Sequence, residues 1–149
     1  MTSDVQCCGP DTNLAAAAKI MWDSYCGALP VLNVQDQVMG MITDRDICMA
    51  TATKNKPARD ITVWETVSGK AHTCHLSDDV RTALDIMKRE KVRRLPVVDE
   101  DGVLQGIVAM NDLVLLSGEA KGGKAPALSY EDVVRTMKAI SAHRVLVGI

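Results

Sequence analysis

The chain has 149 residues, 47% of them apolar and 24% charged, with a formal net charge of −2. That length makes one compact domain or two very small ones, and the weak acidic balance with only four aromatic residues (Trp22, Tyr25, Trp64 and Tyr130) excludes a basic, base-stacking nucleic-acid surface. No apolar run approaches the roughly 20 residues of a membrane span, the N-terminus lacks a basic-then-apolar secretory pattern, and five cysteines without C-x-x-C spacing argue against a disulfide framework and for a reduced, cytoplasmic setting.

In chain order, Cys7-Cys8-Gly-Pro-Asp reads as a strand end and a turn. Leu14, Ala17, Ala18 and Met21 recur at helical spacing, which predicts a helix over 12–24 with Thr12 or Asp11 near its cap. Leu29-Pro-Val-Leu is a short strand, Gln35-Asp36-Gln37 a turn, Val38 to Ile42 a second strand, and Thr43 opens a helix. Residues 51–62 are polar, contain Pro57 and read as a linker; 63–69 suggest one helical turn. The second half gives a strand over 71–75, a helix over 78–91 with Ser77 as its cap, strands over 94–99 and 103–109 around the turn Glu100-Asp101-Gly102, and a helix over 111–118. Residues 118–127 read as a linker, and Ser129-x-x-Asp132 as a capping box for a last helix with Val133, Val134, Met137 and Ile140 on its apolar face. That helix is expected to pack back on the domain or on a second chain; the closing segment from His143 carries no assignment.

These elements are one pattern written twice. Residues 10–47 moved by 66 places fall on 76–113 without a gap: Ala17, Met21, Leu29, Pro30, Val31, Gly40 and Asp46 meet Ala83, Met87, Leu95, Pro96, Val97, Gly106 and Asp112. Each copy has roughly 50–60 residues, a marginal size for folding alone, so the copies are expected to share one structure about a pseudo-twofold axis, with a cleft between them.

The repeated order of helix, Leu-Pro-Val, acidic turn, Gly-x-x-[Ser/Thr]-x-x-Asp and helix resembles the CBS domain, named after cystathionine beta-synthase, and two in tandem resemble a Bateman module. The resemblance spans roughly residues 5–118. It implies an α/β (α+β) fold of two units, each strand–helix–strand–strand–helix. The divisions are 1–60 for the first unit and linker, 61–120 for the second, and 121–149 for a linker and C-terminal helix. One departure is that only Met1 to Asp4 stand where the second copy has Ile61-Thr-Val-Trp-Glu-Thr-Val-Ser.

Gly40-Met-Ile-Thr43-Asp-Arg-Asp46 is the leading candidate site. As a local structure it is a helix cap, with Thr43 and Asp46 in a capping-box relation. The same geometry offers free backbone N–H groups to an anion and a carboxylate to a cis-diol. The resemblance assigns Asp46 to ribose hydroxyls and Thr43 to the nucleotide. Arg93 and Arg94, just before Leu95-Pro96-Val97, are placed by the resemblance at the cleft whose Asp comes from the other unit, where guanidinium groups reach phosphate. Thr73 and Pro96 are expected to flank the same cleft, near adenine. The neighbouring Lys88, Arg89 and Lys91 read as a solvated helix end.

The second copy, Gly106-Ile-Val-Ala109-Met-Asn-Asp112, has lost the hydroxyl, and Asn111 is expected to take over capping. Asp112, Gly27, Ala28 and Pro30 are assigned to a weaker second site. His72-Thr-Cys74-His75 is not read as a metal site, because on a strand His75 points away from the other two. No nucleophile–base pair is recognisable, so no enzyme is expected. The reading is a regulatory module that binds AMP, ADP or ATP, requires no cofactor, forms a homodimer through Leu14/Met21-type helix faces, and signals to an unknown protein partner. The alternative is a ligand-free dimerisation scaffold, for which Ala109 and the short first copy speak.

Overall fold

In a computed structural model, residues 1–67, 69–119 and 126–142 are described. The first half comprises α1 (Leu14–Asp23), β1 (Ala28–Leu32), β2 (Val38–Thr43) and α2 (Asp44–Thr53). A single 3-10 turn (Ala58–Asp60) leads to the second half: β3 (Cys74–His75), α3 (Val80–Glu90), β4 (Arg94–Val98), β5 (Leu104–Ala109) and α4 (Met110–Leu116). The last helix is α5 (Tyr130–Ser141). The mixed α/β class and the strand–helix–strand–strand–helix order of each unit are therefore observed, the first unit's leading strand being a single bridge between Cys8 and Val31.

The duplication extends to register. Ala28 pairs with Thr43 and Arg94 with Ala109; both hairpins are antiparallel, and each carries its irregularity one residue before its end, at Val31/Leu32 and at Val97/Val98. The parallel bridge of Cys8 to Val31 is matched by that of Cys74 to Val97. Asp36 and Gly102, equivalent turn positions, both take positive φ (58° and 80°). The two turns also bond to each other reciprocally: Val38 N–H donates to Gly102 O at 3.1 Å, and Leu104 N–H donates to Asp36 O at 3.0 Å. Two mutually exchanged bonds between equivalent positions are the mark of a local twofold axis, which runs between the turns.

Each half has its own core. Leu14, Ala17 and Met21 of α1 pack with Leu29, Val31 and Ile42, while Ala83, Leu84 and Met87 of α3 pack with Leu95, Val97 and Val108. The chain just past each half closes that half's core. Ile61 and Val63 sit in the first core, joined to it by Leu14 N–H to Ile61 O and Val63 N–H to Thr12 O. Leu128 and Val133 sit in the second core. In packing, therefore, Ile61 and Val63 belong with the first half.

Several boundaries differ from the sequence reading. Asn13, rather than Thr12 or Asp11, caps α1 by accepting from Ala16 N–H, because it stands one residue before the first helical position. Asp79, rather than Ser77, caps α3 and accepts from Thr82 N–H at 2.8 Å. The ladder of β3 covers only Cys74 and His75, since only these two face β4. The expected homodimer face is also corrected: Leu14 and Met21 are 0% and 5% exposed within one chain, because they turn inward against β1 and Ile61. The exposed apolar residues of this region are Trp22 and Tyr25. Most of the 118–127 linker and the segment from His143 lie outside the described residues.

Candidate functional site

β2 ends where α2 begins, and this junction builds the first wall of the site. Thr43 is held extended (φ −116°, ψ 161°) by its pairing with Ala28, so its side chain lies over the open end of α2. Its Oγ1 accepts from Asp46 N–H at 3.1 Å and donates to Asp46 Oδ2 at 2.7 Å; Thr43 N–H donates to the same Oδ2 at 2.9 Å. The capping box expected from the sequence is complete. It engages one carboxylate oxygen twice, and no hydrogen bond holds Asp46 Oδ1 among the described residues.

The opposite wall comes from the second half. α3 ends at Lys91 in the left-handed region (φ 55°), and Arg93 and Arg94 then lead into β4. Between the walls lies a cavity of about 620 Å³, lined among others by Thr43, Asp46, Arg93 and Arg94. The four residues expected to meet do meet. Five cationic side chains (Arg45, Lys70, Lys91, Arg93 and Arg94) line it against the carboxylates of Asp44 and Asp46, in a chain whose net charge is negative. Among the described residues none of these cations pairs with a carboxylate, whereas their neighbours do: Lys88 with Asp85 at 3.0 Å and Arg89 with Glu90 at 2.7 Å. The floor is apolar, with Ala28, Met41, Ala71 and Val92. A cluster of cations beside an apolar floor is suited to a ligand with an anionic end and a flat apolar part.

His72 also lines the cavity, with Nδ1 3.5 Å from Glu90 Oε2. The carboxyl of Glu90 is held below the usual carboxylate range, chiefly by the hydrogen bond from Arg89 and in smaller part by His72. Among the described residues no group of three or more His, Cys, Asp or Glu side chains is placed to hold a metal ion.

The remaining expectations divide. Ala71 and His72 line the cavity, but Thr73 and Pro96 are not on its wall; Pro96 is buried in β4, paired with Ile107. Gly27 and Ala28 line this same cavity, beside Thr43 and Asp46, rather than lying with Asp112. The reason is strand pairing: Ala28 faces Thr43 across the hairpin and Asp44 N–H donates to Gly27 O at 3.1 Å, so the start of a strand lies beside its own unit's helix start. A Cβ on Gly27 would come 3.0 Å from Asp44 Oδ2, so a larger residue there must push the exposed carboxylate aside. Pro30 is buried in β1 opposite Met41. Asp112 lies elsewhere, accepting from Ala109 N–H at 2.9 Å near the N-terminal residues, where Thr2 pairs with Ile107 and Met1 covers Gly106. Asn111 makes no capping bond; Asp112 supplies half a box and the other half is missing with the hydroxyl.

Sequence reasoning missed Arg45, Lys70 and Ile140 as wall residues, and it read Lys91, which also lines the wall, as a solvated helix end. Arg45 stands between two carboxylates and reads as a solvated helix residue. Lys70 precedes a segment already placed at the cleft, which was the available signal. Ile140 belongs to the last helix, and nothing in its spacing points to the cavity.

Comparison with known proteins places the chain in a family. The family model "CBS domain" matches residues 1–52 and 58–119. The chain is 31% identical over 139 residues to the CBS domain-containing protein YhcV of Bacillus subtilis, covering 89% of this chain and 94% of that one. It is 31% identical over 113 residues to hypoxic response protein 1 of Mycobacterium tuberculosis, covering 76% of this chain and 78% of that one. A crystal structure of Hypoxic Response Protein I with two coordinated zinc ions superposes with a TM-score of 0.70 at 31% identity, over 77% of this chain and 92% of that chain. The CBS domain pair of protein MJ0100, in complex with 5′-methylthioadenosine and S-adenosyl-L-methionine, superposes with a TM-score of 0.69 at 26% identity, over 77% of this chain and 92% of that chain.

Proposed function

Since this chain belongs to the CBS domain family and carries the domain twice, we propose that it is a regulatory module that binds an adenine nucleotide in the cavity between its halves. The observation that carries the reading is the junction itself: the capped start of α2 from one half and Arg93 and Arg94 from the other face one hollow of about 620 Å³. That volume suits a nucleotide-sized molecule. The likeness to the MJ0100 domain pair, which holds two adenosine-bearing compounds, supports the ligand class.

In this reading Asp46 accepts hydrogen bonds from the ribose diol through Oδ1, while Thr43 fixes the carboxylate through Oδ2. Arg93 and Arg94 take phosphate oxygens, each guanidinium presenting paired donors. Met41, Ala28, Ala71 and Val92 offer apolar surface to the base. Binding would favour one relative placement of the halves, and a partner protein would read the shift. The module works without catalysis and without a bound cofactor, in the cytoplasm, as a homodimer.

Calorimetric and thermal titration with AMP, ADP, ATP, 5′-methylthioadenosine and S-adenosylmethionine tests this. A ligand at one hundred times its dissociation constant should stabilise the fold by about 2.7 kcal/mol, and Asp46→Asn should abolish the shift. No shift with any of the five refutes the reading. That result would favour a ligand-free dimerisation scaffold, for which the exposed Trp22 (82%), Tyr25 (99%) and Leu115 (85%) speak; such apolar surface suits self-association.

A further inference from the structure

α5 lies wholly beyond the matched CBS residues, which end at 119. It is nevertheless built into the second half. Its starting residue Ser129 caps it through a box with Asp132, and Asp132 Oδ2 is 3.4 Å from Arg81 Nη1 at the start of α3. Val133 and Thr136 are buried (6% and 0% exposed), and Met137 and Ile140 pack on the second core. At the far end Lys91 Nζ donates to Ala142 O at 3.1 Å. α5 therefore runs alongside α3 and is tied to it at both ends.

Two residues connect this packing to the cavity. Ile140 and Val92 belong to the same apolar cluster, and both line the cavity wall. Val92 stands directly between Lys91, which anchors the end of α5, and Arg93. The segment that aims the guanidinium groups is thus pinned from behind by α5.

We propose that α5 is part of the ligand site, and that its docking on α3 and the occupancy of the cavity stabilise each other. The inference rests on the nucleotide-binding reading above. Coupling of this kind is reciprocal: whatever factor undocking of α5 takes from affinity, ligand returns as protection of α5. α5 is then the element that carries the state of the cavity to the surface, since Val134 and Tyr130 on its outer side are half exposed.

The test uses the full chain with ATP and AMP as probes. Val133→Asp places a charge in the α3–α5 contact without touching the cavity, and should weaken binding about fivefold or more. Ile140→Ala should weaken it as well, with the fold intact. Val134→Asp, on the exposed side, should bind as the unaltered protein does. In hydrogen exchange, saturating ligand should slow the α5 amides of the unaltered protein. Unaltered protein that binds nucleotide, with α5 exchange independent of ligand and Val133→Asp affinity unchanged, overturns this inference and leaves the nucleotide reading standing. Unaltered protein that binds neither probe overturns both.

Discussion

Ala109→Thr restores the capping hydroxyl that the second copy lacks, and its effect can be worked out from the first half. Thr43 and Ala109 hold nearly the same backbone, φ −116° and ψ 161° against φ −112° and ψ 156°. Each is followed three residues later by an aspartate whose Oδ2 accepts from the capping N–H at 2.9 Å. The only missing part is the side-chain oxygen that, at Thr43, accepts from Asp46 N–H and donates to Asp46 Oδ2. A threonine at 109 meets an extended backbone that suits its branched Cβ, at a site that is only half-buried. Replacing alanine by threonine at an N-cap is worth about 1 kcal/mol, and in a chain of this size about 1 kcal/mol raises Tm by about 3 °C. Urea and thermal unfolding of Ala109→Thr beside Thr43→Ala should give shifts of similar size and opposite sign. A destabilised Ala109→Thr protein would refute the reasoning, since it would mean that the two helix starts differ in more than one oxygen.

Gly40→Ala should destabilise by about 1–3 kcal/mol, because its Cβ would lie 2.7 Å from Val67 Cγ1; denaturant titration reads this, and an unchanged midpoint would show that Val67 moves freely aside. Asp132 is held below its ordinary pKa of 3.8, first by the Ser129 backbone donor, then by the Ser129 hydroxyl, with Arg81 adding a smaller part. A depressed carboxylate stabilises the fold above its unfolded value and loses that contribution as pH falls through the folded value. Acid titration should therefore show α5 loosening below about pH 3.8, with Ser129→Ala weakening this pH dependence. Burial, with a lesser contribution from Cys7, pushes the Cys8 thiol up to about 11. Alkylation with iodoacetamide at pH 8 should leave Cys8 untouched in the native protein while exposed Cys48 reacts, and rapid labelling of Cys8 would contradict its placement.

The repeat made most of this fold legible. A 66-residue offset in sequence becomes equal strand registers, equal irregularities and a reciprocal pair of turn bonds, because identical apolar spacing dictates identical pairing. The cap at Thr43 was legible for a similar reason, since its chemistry is confined to four consecutive residues. What could not be read is which surfaces meet. Leu14 and Met21 look equally suited to an interior or a partner, and their packing with Leu29, Val31, Ile42, Ile61 and Val63 decides for the interior. Gly27 was assigned to another cleft because hairpin pairing, which seats it beside Asp44, is not written in its own identity. Ile140 reaches the cavity through two helices in contact, a long-range fact with no local signal.

The two halves have diverged in a complementary way. The first keeps the hydroxyl and a small pair, Gly27 and Ala28, where its strand starts; the second keeps the guanidinium groups at the equivalent Arg93 and Arg94 and lacks the hydroxyl. All four of these strand-start positions line one cavity, so the small pair leaves room where the large pair brings charge. Had the first half also carried arginine there, a side chain at 27 would crowd the exposed Asp44 carboxylate, and two more cations would join the five already present. Unpaired cations gathered in one hollow repel one another, and that repulsion falls when an anion arrives. The same repulsion predicts a ligand-free consequence: Arg93→Ala or Arg94→Ala should leave the isolated protein as stable as before or slightly more so, and raising ionic strength should stabilise the unaltered chain more than either variant. Loss of stability in both variants without ligand would mean that these side chains serve packing instead of waiting for an anion.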